Sequence, residues 1–279
     1  MKTRKIAAML LAASLAVSMA GCAEKTEISK ASGQAQTLAA AEYPQMAAYP
    51  DETAYVKADG SFDDEGFSKV YDAWWADKRA RRDIDIDREN VQSFVRASTG
   101  AMLESGNGGN FVYSPLNVYM ALSMLAECTD GDSRAQILSL LRENSLEDVR
   151  AQAKALWNAN YCADGAATSV LASSVWLDDG VDYVRKTLDT LAQDYYASSF
   201  SGEMGSDSYN KALQSWLNEQ TGGLLKDQAS GLEFTPETVM ALATTIYYRA
   251  KWSQEFSKSQ TSEDTFHADS GDITCDFLH

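Results

Sequence analysis

Three residues of the chain have the types that nucleophilic catalysis requires. Ser133 follows a Gly-Asp pair, and Asp276 stands three positions before His279. In a serine hydrolase an aspartate orients a histidine, and the histidine takes the proton of the serine hydroxyl. His267 is the other histidine of the sequence. Histidine-dependent catalysis in this chain would therefore depend on this serine, aspartate and histidine.

The residues around Ser133 argue against that chemistry. The arrangement resembles the GDS and DxxH blocks of SGNH-type hydrolases, in which the serine follows the first strand of the domain. Here the preceding residues have strong helical periodicity instead. Ser133 and Gln136 also form the Ser-x-x-Gln pattern of a capping box, which predicts that Ser133 caps a helix. A hydrolase is kept as a remote alternative, and the chain is not expected to be an enzyme.

The composition argues against metal, cofactor and nucleic-acid binding. Two histidines leave no pair for a zinc site, and the widely spaced Cys128, Cys162 and Cys275 fit neither a disulfide framework nor a zinc site. We expect buried free thiols, no metal and no cofactor. The net charge of −16 argues against a nucleic-acid partner, because phosphate binding requires a concentrated positive surface.

The N-terminus has the pattern of an export signal. Lys2, Arg4 and Lys5 precede a short apolar run that is too short to span a bilayer comfortably. The run ends in Met-Ala-Gly before Cys22, which resembles a lipobox. Residues 1–21 are therefore predicted to be a lipoprotein signal peptide, and Cys22 is predicted to carry lipid. This implies an extracytoplasmic protein anchored to the cell membrane; the alternative is a plain secretory signal and release to the extracellular space.

Residues 22–86 are predicted to be a tether followed by an irregular lead-in. The first part is rich in Ala, Gln, Thr and Ser and has no sustained apolar period, as is typical of a flexible linker. Trp74 and Trp75 precede a basic run at residues 78–82. Because aspartates flank this run, we interpret it as a solvated helix face and not as a patch for nucleic acid or lipid.

The remaining sequence predicts a mixed α and β domain. Ser114-Pro115 is typical of a helix start, and the helix that follows is apolar on nearly all sides. Residues 170–177 and 238–248 are strand-length apolar runs, and the second is predicted to be covered on both faces. The other segments have helical periodicity. This order favours a large sheet with helices packed on it.

Five blocks in one order resemble the serpin family, with the clearest match at the Ser-Pro helix start. They are spread over the sequence from about residue 87 to the end, and together they are more specific than any one block. Their positions are residues 110–124, 131–137, 171–177, 216–223 and 246–256. Residues 265–267 and 273–279 resemble the strands that follow in that family.

The resemblance implies a fold and a set of conformational residues. Residues 87–279 are expected to form a partial serpin domain, with helices on a large, mainly antiparallel sheet. Ser114, Asn117, Thr244 and Trp252 match positions that control opening of that sheet. Asn117 stands where the family has serine and Thr244 where it has asparagine. The later strands, the reactive loop and its P1 residue are expected to be missing from this chain.

The function implied by the resemblance is serine-type endopeptidase inhibition. A serpin offers its loop to a protease and then inserts the cut loop into the sheet as a new strand, which distorts the attached protease. Serine or cysteine proteases would be partners of a full-length form, whereas this chain is expected not to inhibit as it stands. The alternative is a non-inhibitory cell-surface interaction lipoprotein. Without the neighbouring strand that the resemblance implies, the strand at 238–248 is expected to form a long apolar edge, and we predict poor solubility for the isolated chain.

Overall fold

The computed structural model describes residues 35–82, 86–105, 112–252 and 256–278. The predicted signal peptide and Cys22 lie outside the described residues, so their assignments remain predictions. Among the described helices, none is long and apolar enough to cross a membrane.

A five-stranded sheet organises the domain around its longest strand, β3. On one side β3 pairs with β4 in parallel and with β2 in antiparallel register, and on the other side it pairs with β5 in antiparallel register. β1 pairs antiparallel with the outer edge of β4. The predicted large and mainly antiparallel sheet is therefore confirmed. The strands are β1 (Gln36–Ala39), β2 (Cys162–Ala163), β3 (Ala167–Asp178), β4 (Ala197–Gly202) and β5 (Met240–Ala250).

A second, two-stranded sheet and a set of helices complete the described structure. The hairpin consists of β6 (Thr261–Ala268) and β7 (Gly271–Leu278). The helices are α1 (Asp64–Arg82), α2 (Arg88–Ser105), α3 (Pro115–Cys128), α4 (Gly131–Leu141), α5 (Leu146–Asn160), α6 (Arg185–Asp194), α7 (Asp207–Gln220) and the single turn α8 (Lys226–Ala229).

Helices cover both faces of β3, which explains its continuous apolar sequence. Leu171 and Val175 on one face belong to a core cluster with Met120 of α3. Ala172 and Trp176 on the other face belong to a cluster formed with α7. Because successive side chains of a strand alternate between faces, one apolar run contributes to both cores.

Helix α3 begins as the sequence predicts. The Asn117 N–H donates to the Ser114 hydroxyl at 3.3 Å, and Pro115 occupies the first turn, where no intrahelical N–H bond is required. Every residue of α3 is buried or half-buried. The prediction of a helix apolar on nearly all sides is therefore confirmed.

The prediction that Ser133 caps the next helix is wrong. Helix α4 begins two residues earlier, at Gly131, whose N–H donates to the Asp130 carboxylate at 2.8 Å. Because this carboxylate already caps the first turn, Ser133 lies inside the helix and is exposed.

The interpretation of residues 22–86 as a tether and irregular lead-in is wrong for residues 35–82. This part contains β1, a 3-10 turn at Glu52–Tyr55 and the long helix α1. Helix α1 has residues on one face at helical spacing, namely Phe67, Tyr71, Trp74 and Lys78. This spacing indicates a helix, whereas the composition of the segment does not. The basic run does lie on the helix, as predicted.

Two burial predictions also require correction. Strand β5 is half-buried near its start, but Ile246 and Tyr248 are 44% and 69% exposed, so the second half of the strand is not covered on both faces. The three downstream cysteines are free thiols as predicted, yet Cys275 is exposed because β7 belongs to the separate hairpin.

Candidate functional site

The candidate site is the layer between helix α3 and the strands β3 and β5. Ser173 and Thr244 are direct partners in the β3–β5 register and therefore share a face of the sheet. Ser173 lies two residues from both Leu171 and Val175, so its side chain is on the same face of β3 as theirs. Those two residues pack toward α3, so the Ser173–Thr244 pair also faces α3. Two of the predicted conformational residues, Asn117 on α3 and Thr244 on β5, are thus placed on elements that pack together.

Ser114 and Asn117 lie at the start of α3. Ser114 caps the helix, and Asn117 is the residue whose N–H it accepts. The cap fixes the first turn against the sheet, because it satisfies one of the N–H groups that a helix start leaves free.

Trp252 is placed apart from the other predicted site residues. It follows the end of β5, is 72% exposed, and contacts the Phe256 ring at a centroid distance of 5.5 Å. From Thr244 to the end of β5 the strand rises by about 20 Å. The structure therefore does not bring Trp252 into the layer beneath α3.

Buried oxygen atoms without hydrogen bonds mark this layer. Asn117 Oδ1, Ser173 Oγ and Ser199 Oγ are buried and have no hydrogen-bond partner within the described part of the chain. Ser199 pairs with Val175 in the β3–β4 register, so it lies on the same face as Ser173. Each buried unpaired group costs about 1–3 kcal/mol relative to a satisfied one. The layer is therefore an apolar core that contains a few unpaired polar atoms, which suits a region that rearranges.

Ser173 and Ser199 are site residues that the sequence analysis missed. The available signal for Ser173 was the pair of serines at positions 173 and 174 inside the otherwise apolar run of residues 170–177. A buried serine in the centre of a sheet is unusual unless it is hydrogen-bonded.

The outer edge of β5 is the second part of the site. β5 pairs with β3 from Ala167↔Ala250 to Leu177↔Met240, so one edge of β5 is hydrogen-bonded to β3 over its whole length. Its other edge has no neighbouring strand within the described residues. Such an edge presents a row of N–H and C=O groups to which an extended chain can pair. The predicted apolar edge is confirmed, whereas the predicted poor solubility remains a prediction.

A buried ion pair fixes the start of β3. Lys78 of α1 lies 2.8 Å from the Asp164 carboxylate, whose side chain is fully buried. Burial alone would raise the pKa of Asp164, but hydrogen bonds from Lys78 and the Ala167 N–H outweigh it and hold that pKa below its ordinary value. The lead-in is therefore tied to the turn before β3.

A second ionic group lies around Glu127, which is buried at the C-terminal end of α3. Both guanidinium contacts of Arg150 with Glu127 are short, at 2.8 and 3.1 Å. The Tyr195 hydroxyl also donates to Glu127 at 2.9 Å. Burial, followed by the nearby Glu127 charge, raises the pKa of Tyr195. This group joins α3, α5 and the end of α6.

The hydrolase alternative finds no support in the geometry. Ser133 is an exposed residue of helix α4, Asp276 lies in β7 of the separate hairpin, and His279 lies outside the described residues. In the part of the chain that the structure describes, no group of three His, Cys, Asp or Glu side chains is placed to hold a metal ion.

Comparison with known proteins gives one consistent result. The family model described as "Serpin (serine protease inhibitor)" matches residues 89–277. Alpha-1-antitrypsin of Meriones unguiculatus is 27% identical over 189 residues, which cover 66% of this chain and 46% of that protein.

Solved structures agree on the fold. Arabidopsis AtSerpin1 in its native stressed conformation is similar with a TM-score of 0.56 and 22% identity, over 69% of this chain and 51% of that one. Human thyroxine-binding globulin in complex with thyroxine has a TM-score of 0.59 and 17% identity, over 68% and 52%. The chain thus spans about half the length of the proteins it matches.

Proposed function

The chain belongs to the serpin family, and we propose that it is the strand-receiving part of a serine protease inhibitor located outside the cytoplasm. The single observation that carries this proposal is the outer edge of β5, which has no neighbouring strand among the described residues and lies beside a sheet centre whose buried oxygens have no partner there. In this function, a cut reactive loop pairs with β5 as a new strand and carries the attached protease with it.

The unpaired oxygens support a sheet that changes its state. A well-satisfied polar layer would hold the strands in one arrangement, because breaking buried hydrogen bonds is costly. Here Ser173 Oγ and Asn117 Oδ1 have no such bonds to lose within the described structure. The strands of this layer can therefore shift without breaking hydrogen bonds at these two atoms, which supports the proposal.

The proposed partners are serine proteases, with cysteine proteases as the other class. Which protease is captured depends on the P1 residue, which is not among the segments that resemble the family. We propose that the described residues provide the sheet edge that receives the strand.

The proposed location rests on the N-terminal pattern. Cys22 would carry the lipid anchor, and residues 23–35 would connect it to β1. Replacing Cys22 by serine is expected to move the protein from the membrane fraction to the soluble fraction. Persistence in the membrane fraction would contradict anchoring through this residue.

A non-inhibitory interaction protein is the second candidate. Thyroxine-binding globulin, whose structure contains thyroxine, shares the fold, so this fold also occurs in a protein that binds a ligand. The departures at Asn117 and Thr244 also favour this candidate, because they change the residues that resemble the family's control of sheet opening. This candidate predicts a stable sheet that takes up no strand.

Binding of an extended probe peptide tests the proposal. The probe is an acetylated, fluorescently labelled peptide in which valine alternates with alanine and threonine. The control peptide carries proline at alternate positions, because proline lacks the N–H that a sheet requires. We expect saturable binding of one probe per chain and none of the control peptide.

A protease assay completes the test. The chain is incubated with trypsin-like and chymotrypsin-like serine proteases, and adducts are sought on a denaturing gel. We expect probe binding without an adduct. An adduct would show that this chain carries the bait itself, and absence of probe binding would favour the non-inhibitory candidate.

A further inference from the structure

The main sheet would have two long edges if β1 were absent. β3 pairs with β4 on one side and with β5 on the other, so each of these two strands has one further edge. An uncovered edge pairs with many extended chains, because the ladder is formed by backbone groups that nearly every sequence carries. Among the described residues β5 has no outer neighbour, whereas β4 carries β1. The state of the β4 edge therefore decides whether the sheet can receive a strand at one place or at two.

Residues 36–41, which we call the edge segment, lie along the outer edge of β4. β1 at the beginning of the segment pairs antiparallel with residues 199–201 of β4. Beyond β1, the Ala41 N–H donates to the Ser198 hydroxyl at 3.1 Å. The edge segment therefore covers most of β4.

The edge segment does not offer a comparable edge of its own. β1 has four residues, and its register with β4 shifts between Thr37 and Ala39, so Leu38 has no partner in the ladder. The Leu38 carbonyl oxygen accepts a hydrogen bond from the Arg185 guanidinium at the start of α6 instead. Short strands and bulges are features by which natural sheets avoid further pairing, because they leave few N–H and C=O groups in register. No strand pairs with the outer side of β1 in the part of the chain that the structure describes.

Leu38 also anchors the edge segment to the domain. Its side chain is 9% exposed and belongs to the core cluster that contains Val175 of β3 and Leu188 of α6. The residue that interrupts the ladder is therefore held by its side chain in the core and by its carbonyl at Arg185. The segment does not need a long regular ladder to stay on β4.

We propose that the edge segment closes the β4 side of the sheet against extended chains, so that a strand adds only at β5. Leu38 and Arg185 are the positioning residues of this closure. The selection between two edges rests on the proposed strand-receiving function, whereas the closure of the β4 edge can be measured without it.

Closure of one edge also limits association between copies of the chain. Two molecules that each have one open edge join at most as a pair. With both edges open, β4 of one copy pairs with β5 of the next, and such a head-to-tail contact does not close. The edge segment would therefore prevent open-ended assemblies.

Two full-length variants are designed to open the β4 edge. Leu38→Asp places a charge in the core, and Arg185→Met removes the donor to the Leu38 carbonyl. Lys186→Met is the matched control, because it removes a positive charge from the next, exposed residue of α6. We expect hydrogen exchange at the β4 amides to rise about tenfold or more in Leu38→Asp, less in Arg185→Met, and not at all in the control. The amides of β3 and β5 should keep their parent rates, which shows that the sheet is intact.

The number of bound probe peptides measures the closure directly. The parent and Lys186→Met should bind one probe per chain. Leu38→Asp should bind two, and the second probe should protect the β4 amides. Light scattering without the probe should show species no larger than pairs for the parent and larger, concentration-dependent species for Leu38→Asp. Should Leu38→Asp fail to fold, the second probe is sought on Arg185→Met.

The outcomes separate this proposal from the proposed function. Faster exchange at β4 without a second bound probe would overturn the closure, because an opened edge would then take no strand. Unchanged β4 exchange in both variants would overturn it as well. If the parent binds no probe and Leu38→Asp binds one at β4, the proposed function fails and the closure stands.

Discussion

Replacing Lys78 by methionine removes the cation that faces the buried Asp164 carboxylate. The ammonium lies 2.8 Å from the carboxylate, and the two side chains are 14% and 0% exposed. Methionine keeps most of the length and the apolar stem of lysine but leaves the aspartate without its counter-charge. The variant therefore tests whether helix α1 is attached to the domain by this ion pair.

The expected loss follows from the surroundings of Asp164. Removing one partner of a buried ion pair costs about 3–5 kcal/mol. The lower value applies here, because the carboxylate keeps the N–H groups of Ala166 and Ala167, at 3.2 and 2.8 Å. For a domain of this size, a loss of about 3 kcal/mol lowers the Tm by about 6–12 °C.

Thermal unfolding followed by circular dichroism measures this loss. Arg81→Met is the matched control on the same helix, because its ion pair with Asp77 is 34% and 37% exposed and contributes little. The double variant Lys78→Met/Asp164→Asn should recover part of the stability, since no buried charge remains. Equal Tm shifts for Lys78→Met and Arg81→Met would refute the reasoning.

The pH dependence gives the same test a second readout. The folded-state pKa of Asp164 lies below the unfolded value of about 3.9. Its contribution to stability is therefore present above that value and is lost as the pH falls through the folded-state pKa. We expect parent and Lys78→Met to differ most near neutral pH and to converge below about pH 4. A constant difference across this range would contradict the assignment.

Four further substitutions have distinct expected effects on unfolding. Gly222→Ala should cost about 2 kcal/mol, since its Cβ would lie 2.7 Å from the Tyr247 ring at a positive φ, and Gly223→Ala, with open space, about 1 kcal/mol. Ser173→Ala should be neutral or stabilising by up to about 1 kcal/mol, because it removes an unpaired buried hydroxyl; a clear loss would mean that this hydroxyl is bonded. Trp252→Ala should change stability by about 0.5 kcal/mol or less, as expected for an exposed ring. Urea unfolding measures each value.

The parts of the fold that local sequence determines were predicted correctly. Ser114 and Pro115 mark a helix start by their own chemistry, so α3 follows from a short segment. Residues 170–177 form an apolar run of strand length, so β3 also follows from a short segment. The resemblance to a family then supplied the large, mainly antiparallel sheet, whereas the pairing of β3 with β5 is seen only in the structure.

The parts that depend on distant partners were missed. The four residues of β1 have no strand signal of their own and become a strand only beside β4, far along the chain. The burial of Asp164 likewise depends on Lys78, which lies in the lead-in. At the site, Thr244 was identified by resemblance, whereas its partner Ser173 is significant only because its hydroxyl is buried and unpaired.

Hydrogen exchange of the β5 amides, with and without the probe peptide, tests the central claim most directly. If β5 receives a strand, the probe should protect the amides of Met240–Ala250 that face its outer edge. The amides of hairpin β6–β7 should keep their exchange rates. Saturable probe binding that leaves β5 exchange unchanged, or protection confined to the hairpin, would contradict the account.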